Sequence, residues 1–131
     1  MYVDASALVK LYVDEPGSDE AVELVRRAPE PATARIALVE VRRRLTLEFE
    51  DAELTAVRED FDHDWAVFRI VDVDEHVCER AAQIAEATGI RSLDALHLGA
   101  ADPLRGTVSF LTYDVRQADA ARALGWTVLG A

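Results

Sequence analysis

The sequence has one cysteine and no long hydrophobic run, and each absence excludes a class of protein. Cys78 is the only cysteine among 131 residues, so no intrachain disulfide can form and paired thiolates for a structural zinc site are missing. No stretch approaches the roughly 18 apolar residues that a membrane span requires. The amino terminus also lacks the pattern of a secretory signal. We therefore expect a cytoplasmic protein with no membrane association.

Basic residues are scarce as well. The chain has 25 acidic and 14 basic residues and a net charge of −11, which repels a polyanion over most of the surface. This counts against simple coating of nucleic acid, but not against an enzyme that admits a phosphodiester through a divalent cation. Lys10 is the only lysine. A phosphoacceptor receiver domain is therefore disfavoured, because such a domain needs a lysine late in the chain to hold the phosphoryl group.

The order of the predicted elements is typical of the α/β class. Strands alternate with helices, and the predicted strands lie at residues 2–4, 32–34, 68–73, 108–113 and 126–129. Alternation of this kind predicts a mostly parallel sheet of four to five strands flanked by helices. The length suits one domain, residues 1–131, since no repeat or linker divides the chain.

Acidic residues follow two of the predicted strands, and a third lies on a helix. Asp4 and Asp114 each end a strand, and ligands of open α/β sheets bind beyond the carboxyl ends of the strands. Either residue could equally cap the helix that follows it. Glu40 flanks the apolar stripe of its helix, where it could instead pair with Arg44.

Asp94 lies in LDALHLGAA, a helix that is apolar around nearly its whole circumference, so we expect it to be buried. The alternatives are a first-turn acid beside a cap at Ser92 and a hydrogen-bond partner of His97. Two carboxylates about 4 Å apart repel by roughly 4 kcal/mol at an effective dielectric of 20, and a cation relieves this. An all-oxygen site suits Mg²⁺ or Mn²⁺, which indicates metal-assisted hydrolysis of a phosphodiester.

Other polar residues have plainer interpretations. His63, His76 and His97 are expected to be structural or exposed. The arginine run 42–44 is typical of a solvated helix face, although it could guide an RNA backbone.

Four segments, in this order, resemble the PIN-domain family: VDASALVKLYVDEPGSDEA, ALVEVRRRL, SLDALHLGAA and FLTYDVRQADAARALG. Within that family the resemblance is to VapC-type toxin ribonucleases of bacterial and archaeal toxin–antitoxin pairs. It extends over residues 2–129. It implies a three-layer α/β sandwich and an endoribonuclease dependent on Mg²⁺ or Mn²⁺. Our hypothesis is that metal-activated water cleaves single-stranded or loop RNA to leave 5′-phosphate and 3′-hydroxyl ends, with Glu40 or Asp114 orienting or deprotonating that water.

The resemblance also implies which residues form the site. It assigns four catalytic acids, Asp4, Glu40, Asp94 and Asp114. Asp4 and Asp94 would be direct metal ligands with Asp114 beside them, and Glu40 would act through water. The hydroxyls of Ser6 and Thr112 would support the metal ligands.

Partners follow from the resemblance in the same way. It implies an RNA substrate, a homodimer and a small cognate VapB-like antitoxin whose carboxy-terminal arm wraps the toxin. DNA would be contacted only indirectly, through the antitoxin. The alternative is a non-catalytic PIN-like module whose acidic crevice binds a basic antitoxin peptide, the complex then acting in autoregulatory promoter binding.

Overall fold

The computed structural model describes residues 1–131 as alternating strands and helices. The five strands are β1 (Tyr2–Val3), β2 (Ala32–Ala34), β3 (Arg69–Val71), β4 (Phe110–Thr112) and β5 (Val128–Gly130). The seven helices are α1 (Ala5–Val9), α2 (Ser18–Arg27), α3 (Ala37–Glu48), α4 (Asp51–Trp65), α5 (Glu75–Thr88), α6 (Ser92–Ala101) and α7 (Val115–Ala123). None of these helices has the length and hydrophobicity that crossing a membrane requires.

The strands form one sheet in the order β3-β2-β1-β4-β5. The sequence predicts a mostly parallel sheet, and every neighbouring pair is in fact parallel. From β1 the chain builds outward to β2 and β3, then returns to the other side of β1 for β4 and β5. The strand order therefore reverses between β1 and β4. In open α/β sheets the crevice at such a reversal, beyond the carboxyl ends of the strands, is where ligands bind.

Helices cover both faces of the sheet, as the alternation of side chains along the strands requires. Tyr2 and Phe110 point to one face, where their rings stack 5.2 Å apart and pack with residues of α5, α6 and α7. Val3 and Leu111 point to the other face and pack with residues of α1, α3 and α4. The result is the predicted three-layer sandwich, and its middle layer supplies both strands that lead into the crevice.

Close packing of α5 on α6 fixes the helix that carries Asp94. At Gly99 an added Cβ would lie 2.9 Å from the carbonyl oxygen of Val77 and 3.0 Å from the amide nitrogen of Ala81. These distances are shorter than a side chain tolerates, so glycine is what lets the two backbones approach. The position of α6, and with it the site, depends on this contact.

The strands are shorter than or offset from the predicted ranges, and two helix ends also differ from expectation. The sequence predicts a first helix over residues 6–13, but α1 ends at Val9, because the next three residues form tighter turns in which each N–H donates to the carbonyl three residues earlier. The predicted cap at Ser92 is wrong. Arg91 takes the extended backbone of the cap position, Ser92 is the first helical residue, and no side chain caps α6.

Candidate active site

Five acidic side chains line one cleft of about 550 Å³ at the carboxyl ends of β1 and β4. Glu15 is bound by two basic residues, and the other four are the candidate site residues. Asp4 directly follows β1, and Asp114 precedes the first residue of α7. Glu40 and Asp94 lie in the first turns of α3 and α6. Sequence patterns single out these same four residues, and the fold brings them from four separate elements to the point where the strand order reverses.

Asp4 is buried and fully hydrogen-bonded. Its side chain is 3% exposed. Oδ1 accepts from the Ser6 hydroxyl at 2.7 Å and from the Ala7 amide at 3.0 Å, which caps α1. Burial raises the pKa of this carboxyl, while the nearby His97 and the hydrogen bonds oppose the rise. Asp4 is thus both the cap that the sequence allows and a desolvated acid at the base of the cleft.

Thr112 and Ser6 connect Asp4 to the start of α7. The Thr112 hydroxyl lies 2.9 Å from Asp4 Oδ2 and 2.8 Å from Gln117 Oε1. A hydroxyl has one proton, so it donates to one of these oxygens at a time. The two backbone amides that follow β4 complete the connection. The Tyr113 amide donates to Ser6 Oγ at 3.0 Å, and the Asp114 amide donates to Thr112 Oγ1 at 3.1 Å.

Asp94 and Asp114 share one arginine. Arg91 Nε lies 3.3 Å from Asp94 Oδ2, and Arg91 Nη2 lies 3.3 Å from Asp114 Oδ2. Asp114 also caps α7 by accepting from the Gln117 amide at 2.9 Å. The pKa of Asp94 is raised by burial and by the negative charge of Asp114, against the opposing charge of Arg91. The two carboxylates therefore repel, and a guanidinium supplies their counter-charge.

Glu40 is held by a buried histidine. Its Oε1 lies 2.7 Å from His97 Nε2, and His97 Nδ1 lies 2.8 Å from the hydroxyl of Tyr2. His97 is 1% exposed and Tyr2 is fully buried. The alternative pairing of Glu40 with Arg44 is wrong, and so is that of Asp94 with His97.

The hydrogen-bonding chemistry of this chain of three residues assigns the protons of a neutral His97. A carboxylate only accepts, so Nε2–H must donate to Glu40. A neutral imidazole carries one N–H, so Nδ1 is left as an acceptor for the Tyr2 hydroxyl. Burial raises the pKa of Tyr2 well above its usual value, which keeps that proton on the oxygen. Glu40 thereby sets the histidine tautomer, and the Tyr2 hydroxyl donates to the nitrogen that remains.

The donor set fits a hard divalent cation in chemistry. Every candidate ligand atom is a carboxylate oxygen, the type that Mg²⁺ and Mn²⁺ prefer. A bound cation would offset the cost of burying the negative charge of Asp4 and would reduce the repulsion between Asp94 and Asp114. No three His, Cys, Asp or Glu side chains lie close enough together to hold a metal ion as they stand. Because Arg91 occupies two of the carboxylates, a cation would have to replace it as their counter-charge.

The basic residues that line the cleft differ in whether they form ion pairs with acidic residues. Lys10 and Arg44 line the cleft, but both bind Glu15, at 3.1 and 2.9 Å. Arg43 also lines the cleft and is exposed, whereas Arg42 is exposed and lies outside it. Part of the arginine run on α3 therefore faces the site rather than open solvent.

Sequence reasoning missed three residues that shape the site. Tyr2 carries no polar signal within its strand, and Gln117 is a fully buried side chain whose Nε2 donates to the Asp94 carbonyl at 3.2 Å. The sequence predicts a cap at Ser92, which leaves Arg91 outside the helix and without a role. An arginine immediately before a helix with an acid in its first turn is the signal that could have found it.

Comparison with known proteins gives consistent matches. Residues 1–123 match the sequence model of the PIN domain. Ribonuclease VapC46 of Mycobacterium tuberculosis is 35% identical over 130 residues, covering 98% of this chain and 95% of the relative. Two solved structures share the fold. VapC20 of Mycobacterium tuberculosis, a toxin that cleaves the sarcin-ricin loop, has a TM-score of 0.75 at 18% identity and covers 96% of this chain and 95% of its own. A toxin–antitoxin complex from Klebsiella pneumoniae has a TM-score of 0.68 at 17% identity, with 88% of each chain covered.

Proposed function

The chain belongs to the PIN-domain family, and from this premise we propose that it is an endoribonuclease dependent on Mg²⁺ or Mn²⁺ that hydrolyses RNA phosphodiester bonds. One observation carries the proposal. Four carboxylates from four elements line a single cleft at the reversal of strand order. The matched relative named Ribonuclease VapC46 supports the same reaction class.

In this proposal Asp4, Asp94 and Asp114 hold the cation. When bound, such a cation lowers the pKa of water and stabilises charge on the attacking and leaving oxygens at phosphorus. Ser6 and Thr112 keep the Asp4 carboxylate in one orientation, because the Ser6 hydroxyl donates to Oδ1 and the Thr112 hydroxyl lies 2.9 Å from Oδ2. The buried side of the site is therefore preorganised before substrate arrives.

Glu40 is the residue that we assign to the attacking water. His97 binds its Oε1, and the side chain is partly exposed to the cleft. A carboxylate fixed at one oxygen can use the other to orient a water molecule and accept its proton. In-line attack by that water leaves 5′-phosphate and 3′-hydroxyl ends.

We also propose that the protein is the toxin of a toxin–antitoxin pair. The acidic cleft suits a basic peptide, and the exposed apolar side chain of Leu93 lines it. A partner segment with a basic side chain beside an apolar one matches this surface. The Klebsiella complex supports an antitoxin partner, and a homodimer and DNA contact through that antitoxin belong to the same proposal.

The test removes the negative charge of Asp4 but keeps the hydrogen bond by which this residue caps α1. Asp4→Asn should keep the hydrogen bond to the Ala7 amide, since asparagine caps helices as well as aspartate does, but it removes a ligand charge. We expect RNA cleavage in Mg²⁺ or Mn²⁺ to fall by at least about 10³-fold, in the range seen when one group of a preorganised site is lost. The readout is cleavage of a labelled RNA pool by the purified, antitoxin-free protein.

Asp74→Asn is the matched control. Asp74 caps α5 by accepting from the Val77 amide at 2.9 Å and lies outside the cleft. This variant should cleave as the wild type does. If the wild type cleaves no RNA in either metal but binds a basic antitoxin peptide, the non-catalytic module is the correct function. If Asp4→Asn cleaves normally, the assignment of the site is wrong.

A further inference from the structure

A second groove adjoins the acidic cleft. It has a volume of about 560 Å³ and lies between the end of α5, the loop before α6, and α7. Arg91 and Asp94 line both cavities, so the two form one continuous path across the surface. The volume falls within the roughly 300–1,000 Å³ that is usual for ligand pockets.

The unpaired charge in this groove is positive. Arg116 on α7 lines it, is exposed and takes part in no ion pair. The two acids of the groove are both paired, Asp94 with Arg91 at 3.3 Å and Asp119 with Arg122 at 3.5 Å. A free guanidinium is well suited to a phosphate, which it can bind through two parallel hydrogen bonds.

The remaining lining is uncharged and mostly aliphatic, apart from Thr88 and Gly89. Ile90 lies in the loop between α5 and α6, Ala87 on α5, and Ala120 and Ala123 on α7. Small aliphatic side chains leave a shallow surface on which the face of a nucleobase can pack. A nucleotide consists of an anionic phosphate and a flat base joined through the sugar. A cation beside an apolar wall is complementary to these two groups.

We propose that this groove binds the nucleotide adjacent to the scissile phosphodiester of single-stranded RNA, with Arg116 at its phosphate and the side of Ile90 at its base. The inference rests on the proposed ribonuclease function, because it takes the neighbouring acidic cleft as the place of cleavage. A basic peptide suits the groove less well, since it would meet Arg116 while both acids are already paired.

The test compares two exposed, unpaired arginines. Arg116→Ala and Arg42→Ala remove the same charge, but Arg42 lies outside both cavities. Binding of a short fluorescein-labelled single-stranded RNA of mixed sequence is measured by anisotropy in the Asp4→Asn background, where cleavage is blocked. We expect Arg116→Ala to weaken binding by roughly fivefold and to reduce the salt slope by about 0.7, the value for one phosphate contact to a single strand. Arg42→Ala should change affinity less than about twofold.

A second variant fills the groove without changing charge. Ala123→Leu at the exposed end of α7 keeps a good helix former and should also weaken RNA binding, but with the wild-type salt slope. The thermal midpoint and the mass by light scattering are measured for each variant. If Arg116→Ala and Arg42→Ala weaken binding equally, the groove has no specific role and the inference is overturned.

Two further outcomes contradict the inference. Loss of antitoxin affinity, or a change of oligomeric mass, with RNA binding intact would show that the groove receives a protein. Failure of the proposed function looks different, because the wild type would then cleave no RNA in Mg²⁺ or Mn²⁺. If the wild type cleaves RNA and Arg116→Ala binds and cleaves it equally well, only the groove assignment fails.

Discussion

The two sides of the cleft hold their acids in different ways. We call Asp4 and Glu40 the inner pair and Asp94 and Asp114 the outer pair. The inner pair receives hydrogen bonds from neutral, buried or half-buried groups, the hydroxyls of the Asp4 network and the imidazole of His97. The outer pair is bound by Arg91, whose side chain is 70% exposed.

This difference separates a fixed part of the site from an exchangeable one. The donors to the inner pair, Ser6, Thr112 and His97, are packed within the fold and cannot move away without disrupting it. The inner pair therefore keeps its geometry with or without a ligand. An exposed arginine pair contributes little stability, about 0–1 kcal/mol, and its guanidinium can move into solvent. The outer pair can therefore exchange one counter-charge for another at small cost.

The largest effect is expected from Thr112→Val, which breaks the inner side. The change preserves shape but removes the hydroxyl that reaches Asp4 Oδ2 and accepts from the Asp114 amide. A buried acceptor left without its donor costs about 1–3 kcal/mol. We expect the free energy of unfolding to fall by about 2 kcal/mol in urea denaturation.

Thr46→Val on α3 is the control for this variant. The Thr46 hydroxyl donates to the Arg43 carbonyl but is exposed to solvent, so the loss should stay within about 0.5 kcal/mol. Equal losses in the two variants would mean that the Asp4 network is no more important than a surface hydroxyl, and the distinction between the two sides would fail.

Tyr2→Phe sharpens the comparison, because it alters the inner side without touching a carboxylate. Without the tyrosine hydroxyl, the buried His97 Nδ1 loses its donor, and the imidazole is held in place by Glu40 alone. We expect about a fivefold lower kcat with an unchanged KM, as for an interaction used mainly in the transition state. In the Glu40→Gln background the same change should have no further effect on kcat.

Imidazole ¹⁵N shifts test the same idea without reference to activity. The wild type and Tyr2→Phe should show His97 protonated at Nε2, and Glu40→Gln, whose amide can donate or accept, should show a mixture of tautomers. His63 is exposed and serves as the internal reference. A wild-type His97 protonated at Nδ1 would contradict the assignment, whether or not the protein cleaves RNA.

The sequence predicts the acids better than it predicts their partners. Asp4 and Asp114 stand between a strand and a helix, a local pattern that places them at the carboxyl edge of a parallel sheet. The helix-cap interpretation of both residues is also correct, and the two roles coexist. Local periodicity and strand order likewise predict the α/β fold and its layers.

Partners that are distant in sequence could not be predicted in this way. Glu40 and His97 are 57 positions apart, while the sequence offered Arg44 one helical turn away. Arg44 instead binds Glu15, which is distant in sequence, and Glu48 on the next helical turn, both at 2.9 Å. The same holds for the contact of Arg91 with Asp114, which is 23 positions away, whereas its contact with Asp94 is local.

The pH dependence of stability gives a smaller effect with a definite sign. Burial raises the pKa of Asp4, so the folded protein binds this proton more tightly than the unfolded chain does. The stabilising contribution of the carboxyl is present at low pH and is lost as the pH rises through its folded pKa. In metal-free protein, Asp4→Asn should therefore be more stable than the wild type at neutral pH, and the difference should shrink on acidification.

Urea denaturation in EDTA, from neutral to acidic pH, measures the difference in the free energy of unfolding between Asp4→Asn and the wild type. Asp74→Asn is the control for the substitution itself. Asp74 has the same capping role at the start of α5, so its variant should show no such gain. A wild type that is more stable than Asp4→Asn at neutral pH would mean that the hydrogen bonds to Asp4 outweigh its burial. The charged Asp4 would then not destabilise the folded protein in the absence of a cation.

The smallest effect is expected at the outer side, from Arg91→Gln. If Arg91 is only an exchangeable counter-charge, its removal should tighten Mn²⁺ binding by about two- to fivefold, the equivalent of an exposed ion pair. Arg80→Gln is the control, because Arg80 pairs with Asp102 at 3.1 Å away from the cleft. Calorimetric titration of Mn²⁺ measures both. Weaker Mn²⁺ binding by Arg91→Gln would instead show that the arginine holds Asp94 and Asp114 in position for the ion, and both sides of the cleft would then be preorganised.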